Sequence, residues 1–519
     1  MFQFRAAIIA ALFLFLNGFS AVAQDVTLTS HDGAVEITGT LLGFDGELYR
    51  VDTVYGELTV DGTGVQCEGP GCPNLLNYVA DISVSGSSTM AELLMPALLE
   101  AFALREGYSV ERIGDTVTRF EYHLIAIDTG EKRARFRFHA SNSDEGFADL
   151  LADEADIAMS LREIRPREAQ LGFEAGLGDM TEANRSRVLA LDGMVPVVSA
   201  SNPVTSISLE QLARVFSGKI TNWQEFGGPN APITTHLIDP RSGLAQAVED
   251  QLMARARVPF SEDIVRHDRN ISLISAVRRD PFSIGIASYA ETGATKKLML
   301  TGSCGFSLSA SRRTIKTEDY PLNAPMFLYF PARRLPKLAR DFLSYTRSPS
   351  AQIVIRRAGF VDQSPEEVPI NLQGDRFANA ISSAGSEVPL DELQRMTTFL
   401  SDLNRLTTSF RFQTGSTSLD AQSRSNVQQL ARALEAGIYD ARRLVFVGFS
   451  DGEGPATANR NIASKRAAVV RDAVISAAET ANLERLNLEV VAFGEAMPMA
   501  CDDSSWGRQV NRRVEIWVR

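Results

Sequence analysis

The hydrophobic pattern of the chain changes character near Asp81, and that change limits the fold more than any other feature. Before it, apolar and polar residues alternate in short runs: Val26-Thr-Leu-Thr, Val35-Glu-Ile-Thr, Leu48-Tyr-Arg-Val and Glu57-Leu-Thr-Val. Asp32-Gly33, Asp45-Gly46 and Asp61-Gly62 punctuate these runs. A period of two broken by Asp-Gly turns marks strands joined by tight connections, and it predicts a small antiparallel β-barrel over 24–75. From Asp81 onward strands alternate with helices, the pattern of an α/β domain. A chain of 519 residues exceeds what one core supports, so several domains are expected.

The first 23 residues are set apart. Arg5 gives a short positive start, residues 6–16 are apolar, and Ala21-Val22-Ala23 fits the small-x-small rule for cleavage. The apolar run is too short to anchor in a bilayer. Residues 1–23 are therefore expected to be a cleaved signal peptide, with an exported, periplasmic mature chain starting near Gln24. Four cysteines fit an oxidising compartment. Cys67 and Cys72 enclose Glu-Gly-Pro-Gly, a turn tight enough to favour a disulfide. Cys304 and Cys501 are either buried thiols or a bridge between domains, and the sequence leaves both open.

The formal net charge of -12 argues against a nucleic-acid partner, which would favour a basic face. The five histidines show no paired ligand spacing, so no metal is expected. No phosphate-cradling loop or dinucleotide fingerprint appears either, and no cofactor is expected.

Residues 78–362 carry strand candidates at Asp81-Ile-Ser-Val, Ile157-Ala-Met, Met194-Val-Pro-Val-Val, Ile284-Gly-Ile-Ala and Met326-Phe-Leu-Tyr-Phe. Helices are expected between them, for example over 209–216 and 244–256. Residues 363–392 hold Pro365, Pro369, Gly374, Gly385 and Pro389 among polar residues, which reads as a linker with one short helix. A helix over 390–403 then leads into a last α/β unit, 393–519.

That last unit carries the clearest motif. Leu444-Val-Phe-Val-Gly-Phe-Ser-Asp451-Gly-Glu-Gly454 precedes Asn459, Ile462, Arg466-Ala467, Gly494-Glu495 and Asn511-Arg-Arg-Val-Glu-Ile516. This resembles the OmpA-like peptidoglycan-binding family, whose pattern runs Gly-x-Thr-Asp, Gly, Asn-x-x-Leu-Ser-x-x-Arg-Ala and Asn-Arg-Arg-Val-Glu. Ser450 stands where threonine is usual and Ala463 where serine is usual. The resemblance implies an OmpA-like α/β sandwich in which Asp451 and Arg466 bind the diaminopimelate of the peptidoglycan stem peptide, with Asn459 ordering the loop. The chemistry is sound by itself. Diaminopimelate carries carboxylates and an ammonium group, so its recogniser needs a fixed anion and a fixed cation. Charge-assisted bonds of this kind contribute roughly 1.5–3 kcal/mol each. A surface ion pair between Asp451 and Arg466 with no ligand is the plainer alternative. Gly448-Phe-Ser450-Asp-Gly452 also matches G-x-S-x-G. The hydrolase order needs a histidine after the serine, and the last histidine is His267.

The central region resembles the periplasmic phosphate-binding proteins of ABC importers, the PstS type. The residues concerned are Gly86-Ser-Ser-Thr89, Asp156-Ile-Ala-Met-Ser160-Leu-Arg162-Glu, Asn202-Pro203, Phe216-Ser-Gly-Lys-Ile-Thr-Asn-Trp223 and Arg241-Ser-Gly243. The resemblance implies two lobes around a cleft that holds phosphate or another small oxyanion. Ser87, Ser88 and Thr89, and then Ser242 and Gly243, precede helices, where free N–H groups favour an anion. Ser141 and Ser160 would add donors, and Arg162 and Arg241 would neutralise charge. An ordinary helix cap is the plainer role for each hydroxyl. Leu244 replaces the family's threonine, and Leu161-Arg162 stands where an aspartate is expected beside Ser160.

The sequence therefore describes a non-catalytic periplasmic binding protein held at the cell wall or outer membrane through peptidoglycan. Its cleft would present an oxyanion site, with an ABC importer or another envelope protein as a further partner. The alternative is an envelope scaffold whose central domain binds another protein.

Overall fold

The structure, a computed structural model, describes residues 25–519 apart from 75–77, 115, 183 and 414. The expected signal peptide lies outside the described residues. The Asp-Gly-punctuated segment forms a five-stranded antiparallel sheet from Val26–Ser30, Glu36–Phe44, Leu48–Thr53, Gly56–Asp61 and Val65–Glu68. Glu36–Phe44 serves two neighbours: Glu36 to Gly39 pair with the first strand, and Thr40 to Phe44 pair with the third, past an irregularity at Leu41/Gly43. The curl closes Val26, Leu28, Tyr49 and Val51 into a small core. Cys67 and Cys72 are disulfide-bonded, with Cα atoms 5.8 Å apart. Because so small a core buries little apolar surface, such a bond supplies part of the hold.

In the central domain the first lobe is built on Ala80–Ser87, flanked in parallel by Lys132–Ser141 and Ile157–Ser160. Met90, Leu94, Met95, Leu98, Leu99 and Phe102 recur at helical spacing and are buried in the main core. The second lobe sets Thr234–Ile238 between Val265–His267 and Ser283–Ser288, all parallel. One 13-residue strand, Ser186–Val198, joins the lobes. Its first half, to Gly193, pairs with Asn323–Tyr329 of the first lobe, and Met194 to Val198 pair with Ser283–Ser288 of the second. The crossing point is Asp192, fully buried, which accepts from Ser288 Oγ at 2.6 Å and from Gly193 N at 2.8 Å. Burial raises its pKa to about 6 against these bonds. The distinctive Phe216-to-Trp223 stretch is structural: the indole of Trp223 is buried and donates to Phe282 O at 2.8 Å.

The C-terminal sheet orders its strands as Glu367–Val368, Asn404–Arg411, Arg513–Val518, Arg443–Phe449 and Asn487–Gly494. Helices Ala421–Glu435 and Ala456–Ala477 pack on one face. The stretch expected to be a linker is instead part of this domain. Glu367 and Val368 pair with Leu406 and Arg405. Helix Gly374–Ser383 packs Phe377 and Ala380 into a cluster with Val445, Val447, Phe449 and Trp517. Gly374 opens a helix and Pro389 immediately precedes one. Pro389, just ahead of its helix, removes no intrahelical hydrogen bond. Cys304 and Cys501 are not buried thiols but form a disulfide between the second lobe and the C-terminal domain, with Cα atoms 5.6 Å apart.

Candidate functional site

Strand Arg443–Phe449 ends at Ser450-Asp451, and helix Ala456–Ala477 returns beside it. Gly448 permits this closeness, since a Cβ there would strike the carbonyl oxygen of Ala463. The helix thereby carries Arg466 toward the strand end that bears Asp451. Both residues are largely enclosed, at 8% and 4% exposure. They do not simply face each other across an open gap. Arg512 Nη1 donates to Asp451 Oδ2 at 2.5 Å, so a second guanidinium holds the carboxylate.

Arg466 stacks on Phe412, 5.2 Å from the ring centroid, and makes one long contact of 3.5 Å to Ser416 O. Its Nε is buried without a hydrogen-bond partner among the described residues, as is Ser450 Oγ. Burial lowers the pKa of Arg466, the charge of Arg512 adds to this, and Asp451 opposes it. The three charges therefore belong to one electrostatic group. Asn459 Nδ2 donates to Glu495 Oε2 at 2.6 Å and to Gly454 O at 3.3 Å, which orders the loop after Asp451. Gly452 N donates to Asp502 Oδ2 at 2.8 Å. Arg512 was missed in the sequence, although the Asn-Arg-Arg run contained it; no local spacing reveals which strand end it reaches. No histidine is among the hydrogen-bond partners of Ser450 in the described residues, so the G-x-S-x-G match has no base beside it.

In the cleft, Ser87 and Gly243 meet from opposite lobes: a Cβ at Gly243 would lie 2.8 Å from Ser87 Oγ. Ser87 is fully buried, and the hydroxyls of Ser87 and Ser141 both lack a partner among the described residues. Ser88 and Thr89 sit where the first lobe's strand passes into its helix, and Thr89 makes no capping bond. Other expected donors are committed elsewhere. Ser160 Oγ donates to Arg162 O at 2.7 Å, and Ser242 Oγ accepts from Ala245 N at 3.1 Å as a cap. Arg162 is bound to Asp144 and, through two nitrogens at 2.8 and 2.6 Å, to Glu168, and it lies over Phe147. Arg241 is 87% exposed and paired with Asp239 at 3.0 Å. Gln246 was also missed. Its Oε1 crosses the cleft and accepts from Ser143 N at 3.0 Å, at the start of helix Ser143–Leu151.

Two lobes sharing one crossing strand define a periplasmic-binding-protein fold, and the C-terminal sheet with its Asp–Arg cluster defines an OmpA-like domain. Comparison with known proteins finds the same two families. Residues 53–350, more than half of the chain, match the PBP superfamily domain, and the chain belongs to that superfamily. Residues 411–512 match the OmpA family. Among curated relatives is the phosphate-binding protein PstS of Borreliella burgdorferi, 24% identical over 246 residues, covering 46% of this chain and 83% of the relative. Another is protein SphX of Synechococcus elongatus, 27% identical over 237 residues, covering 43% and 67%. A solved ABC-type phosphate transport receptor from Vibrio cholerae is 22% identical, with a TM-score of 0.41, over 54% of this chain and 99% of its own. The peptidoglycan-associated lipoprotein from Burkholderia pseudomallei is 25% identical, with a TM-score of 0.19, over 21% and 89%.

Proposed function

We propose that this chain is an exported, non-catalytic binding protein that grips peptidoglycan through Asp451, Arg466 and Asn459, assisted by Arg512. The observation that carries the reading is the Arg466 guanidinium: enclosed, stacked on Phe412, with Nε unpartnered beside a carboxylate and a second guanidinium. Arg466 offers its free donors to a ligand carboxylate, and Asp451 exchanges part of its bond to Arg512 for the ligand ammonium. Co-sedimentation of the full chain with peptidoglycan sacculi tests this. Asp451→Ala and Arg466→Ala should each abolish it, and retention by both would refute the assignment.

The cleft is proposed to take phosphate or a related small oxyanion, delivered to an ABC importer. The buried hydroxyls of Ser87 and Ser141 and the N-terminal amides near Ser88, Thr89 and Gly243 are its donors, an arrangement suited to an anion. A thermal-shift series with phosphate and sulfate tests it, because a ligand bound only by the folded state raises the melting point. One observation favours a scaffold instead: Gln246 already occupies the amide of Ser143 that an anion would otherwise take. Absence of any shift with either anion would support the scaffold.

A further inference from the structure

The C-terminal domain lies across the hinge of the binding domain and touches both lobes. On the first lobe, Arg424 Nη2 donates to Glu163 Oε1 at 2.9 Å. At the crossing, Arg405 binds Asp319 through two nitrogens at 2.8 and 3.2 Å, and Arg411 reaches the same carboxylate at 3.3 Å. Ser409 Oγ donates to Thr317 O at 2.7 Å beside them. On the second lobe, Trp506 Nε1 donates to Gln251 O at 3.0 Å and Arg255 Nη1 donates to Gln509 Oε1 at 2.9 Å. Ser303 N donates to Asp503 Oδ2 at 3.2 Å, next to the Cys304–Cys501 bond.

We infer that the docked C-terminal domain is a clamp on the hinge, so that the two lobes cannot open until its contacts with one of them are released. Lobe opening in this fold class is a rotation of one body against the other. A third body fixed to both, and to the segment between them, opposes that rotation. Two of the attachments are costly to give up. The disulfide is covalent, and separating Asp319 from Arg405 and Arg411 breaks ion pairs among groups that are only 2%, 3% and 4% exposed.

The clamp also adjoins the wall site. Helix Ser505–Asn511 carries Trp506 and Gln509 to the second lobe and runs directly into Arg512, the residue that holds Asp451. A ligand that moves Arg512 therefore acts on the clamp, and lobe opening acts back on the wall site by the same free energy. The clamp itself requires neither ligand, so its test stands apart from the wall-binding reading.

That test is the interlobe distance distribution of the full chain by double electron–electron resonance. Phe173→Cys on the first lobe and Ile271→Cys on the second are suitable label sites, at 68% and 62% exposure. The native cysteines are all in disulfides and leave the labelling selective. The otherwise unaltered chain should show one narrow distance. Cys304→Ser with Cys501→Ser and Arg424→Glu should add a second population, longer by more than about 2 Å. Adding Glu163→Arg re-forms the pair with its charges exchanged and should shrink that population. Superimposable distributions would overturn the clamp. So would a broadening that Glu163→Arg leaves untouched, since it would reflect general unfolding.

Discussion

Arg466 and Asp451 show how far residue identity alone can carry a site. Their types and spacing were legible, because a zwitterionic ligand needs one fixed charge of each sign and the strand–helix motif keeps both at one end. Arg512 was not, because its bond to Asp451 joins positions 61 apart in sequence and leaves no periodic trace. Arg512→Ala should leave Asp451 without its present partner and weaken sedimentation with sacculi about tenfold, the loss of a single charge-assisted bond. In the cleft, Gly243→Ala places a methyl 2.8 Å from Ser87 Oγ. Urea unfolding should report a loss of roughly 1–3 kcal/mol from overpacking, relieved in the double variant with Ser87→Gly. Arg162 and Arg241 teach the opposite lesson. Their charge made them plausible anion ligands, yet carboxylates six and eighteen residues from Arg162, and two residues from Arg241, hold them instead.

Among elements, the strand–helix alternation and four of the five short N-terminal strands were readable because hydrophobic periodicity is a local signal, while Val65–Glu68 was missed. The segment 363–392 reads as a linker because a proline just ahead of a helix, as at Pro389, looks in sequence like one that ends structure. A tether of free chain would have let the C-terminal domain roam, whereas Glu367–Val368 and helix Gly374–Ser383 bind it into the fold. The parallel strands of the second lobe hold a chain that no pattern announced. Asp280 accepts from Ser283 Oγ at 2.6 Å, Ser283 meets His236 Nε2 at 2.9 Å, and His236 Nδ1 meets His267 Nε2 at 2.9 Å. Burial, with His267 adding, lowers the pKa of His236 to about 4. A histidine whose folded pKa lies below its unfolded value of 6.5 stabilises fully above that value. The stability is lost as pH falls from there to about 4. After allowance for solvent screening the loss should be roughly 1–2 kcal/mol. Urea titrations from pH 7 to 4 should show it, and His236→Gln should flatten that part of the profile.

For the whole molecule, the division into a curled N-terminal sheet, a two-lobed domain and an OmpA-like domain was open to sequence reasoning, but their union was not. The joint between the last two is a buried cluster in which Arg376, Arg405 and Arg513 surround Glu515, and Arg405 and Arg411 share Asp319. Burial alone would raise the pKa of Glu515, but the three guanidinium groups outweigh it and hold the carboxylate far below its usual range. Residues from separate domains pair here at separations that no local pattern encodes. Asp319→Ala should therefore cost about 3–5 kcal/mol, because it leaves Arg405 and Arg411 facing an uncharged methyl. Calorimetry should show the two large domains losing their shared transition.

The most direct measurement for the wall-binding account is elution of the full chain from sacculi by a free stem tripeptide. The tripeptide ending in meso-diaminopimelate offers both a carboxylate for Arg466 and an ammonium for Asp451, and it should release the protein in a saturable way. Its lysine counterpart keeps the ammonium but lacks the second carboxylate, and should release far less. Equal release by both peptides, or by neither, would contradict the claim that this carboxylate–guanidinium cluster is what holds the chain to the wall.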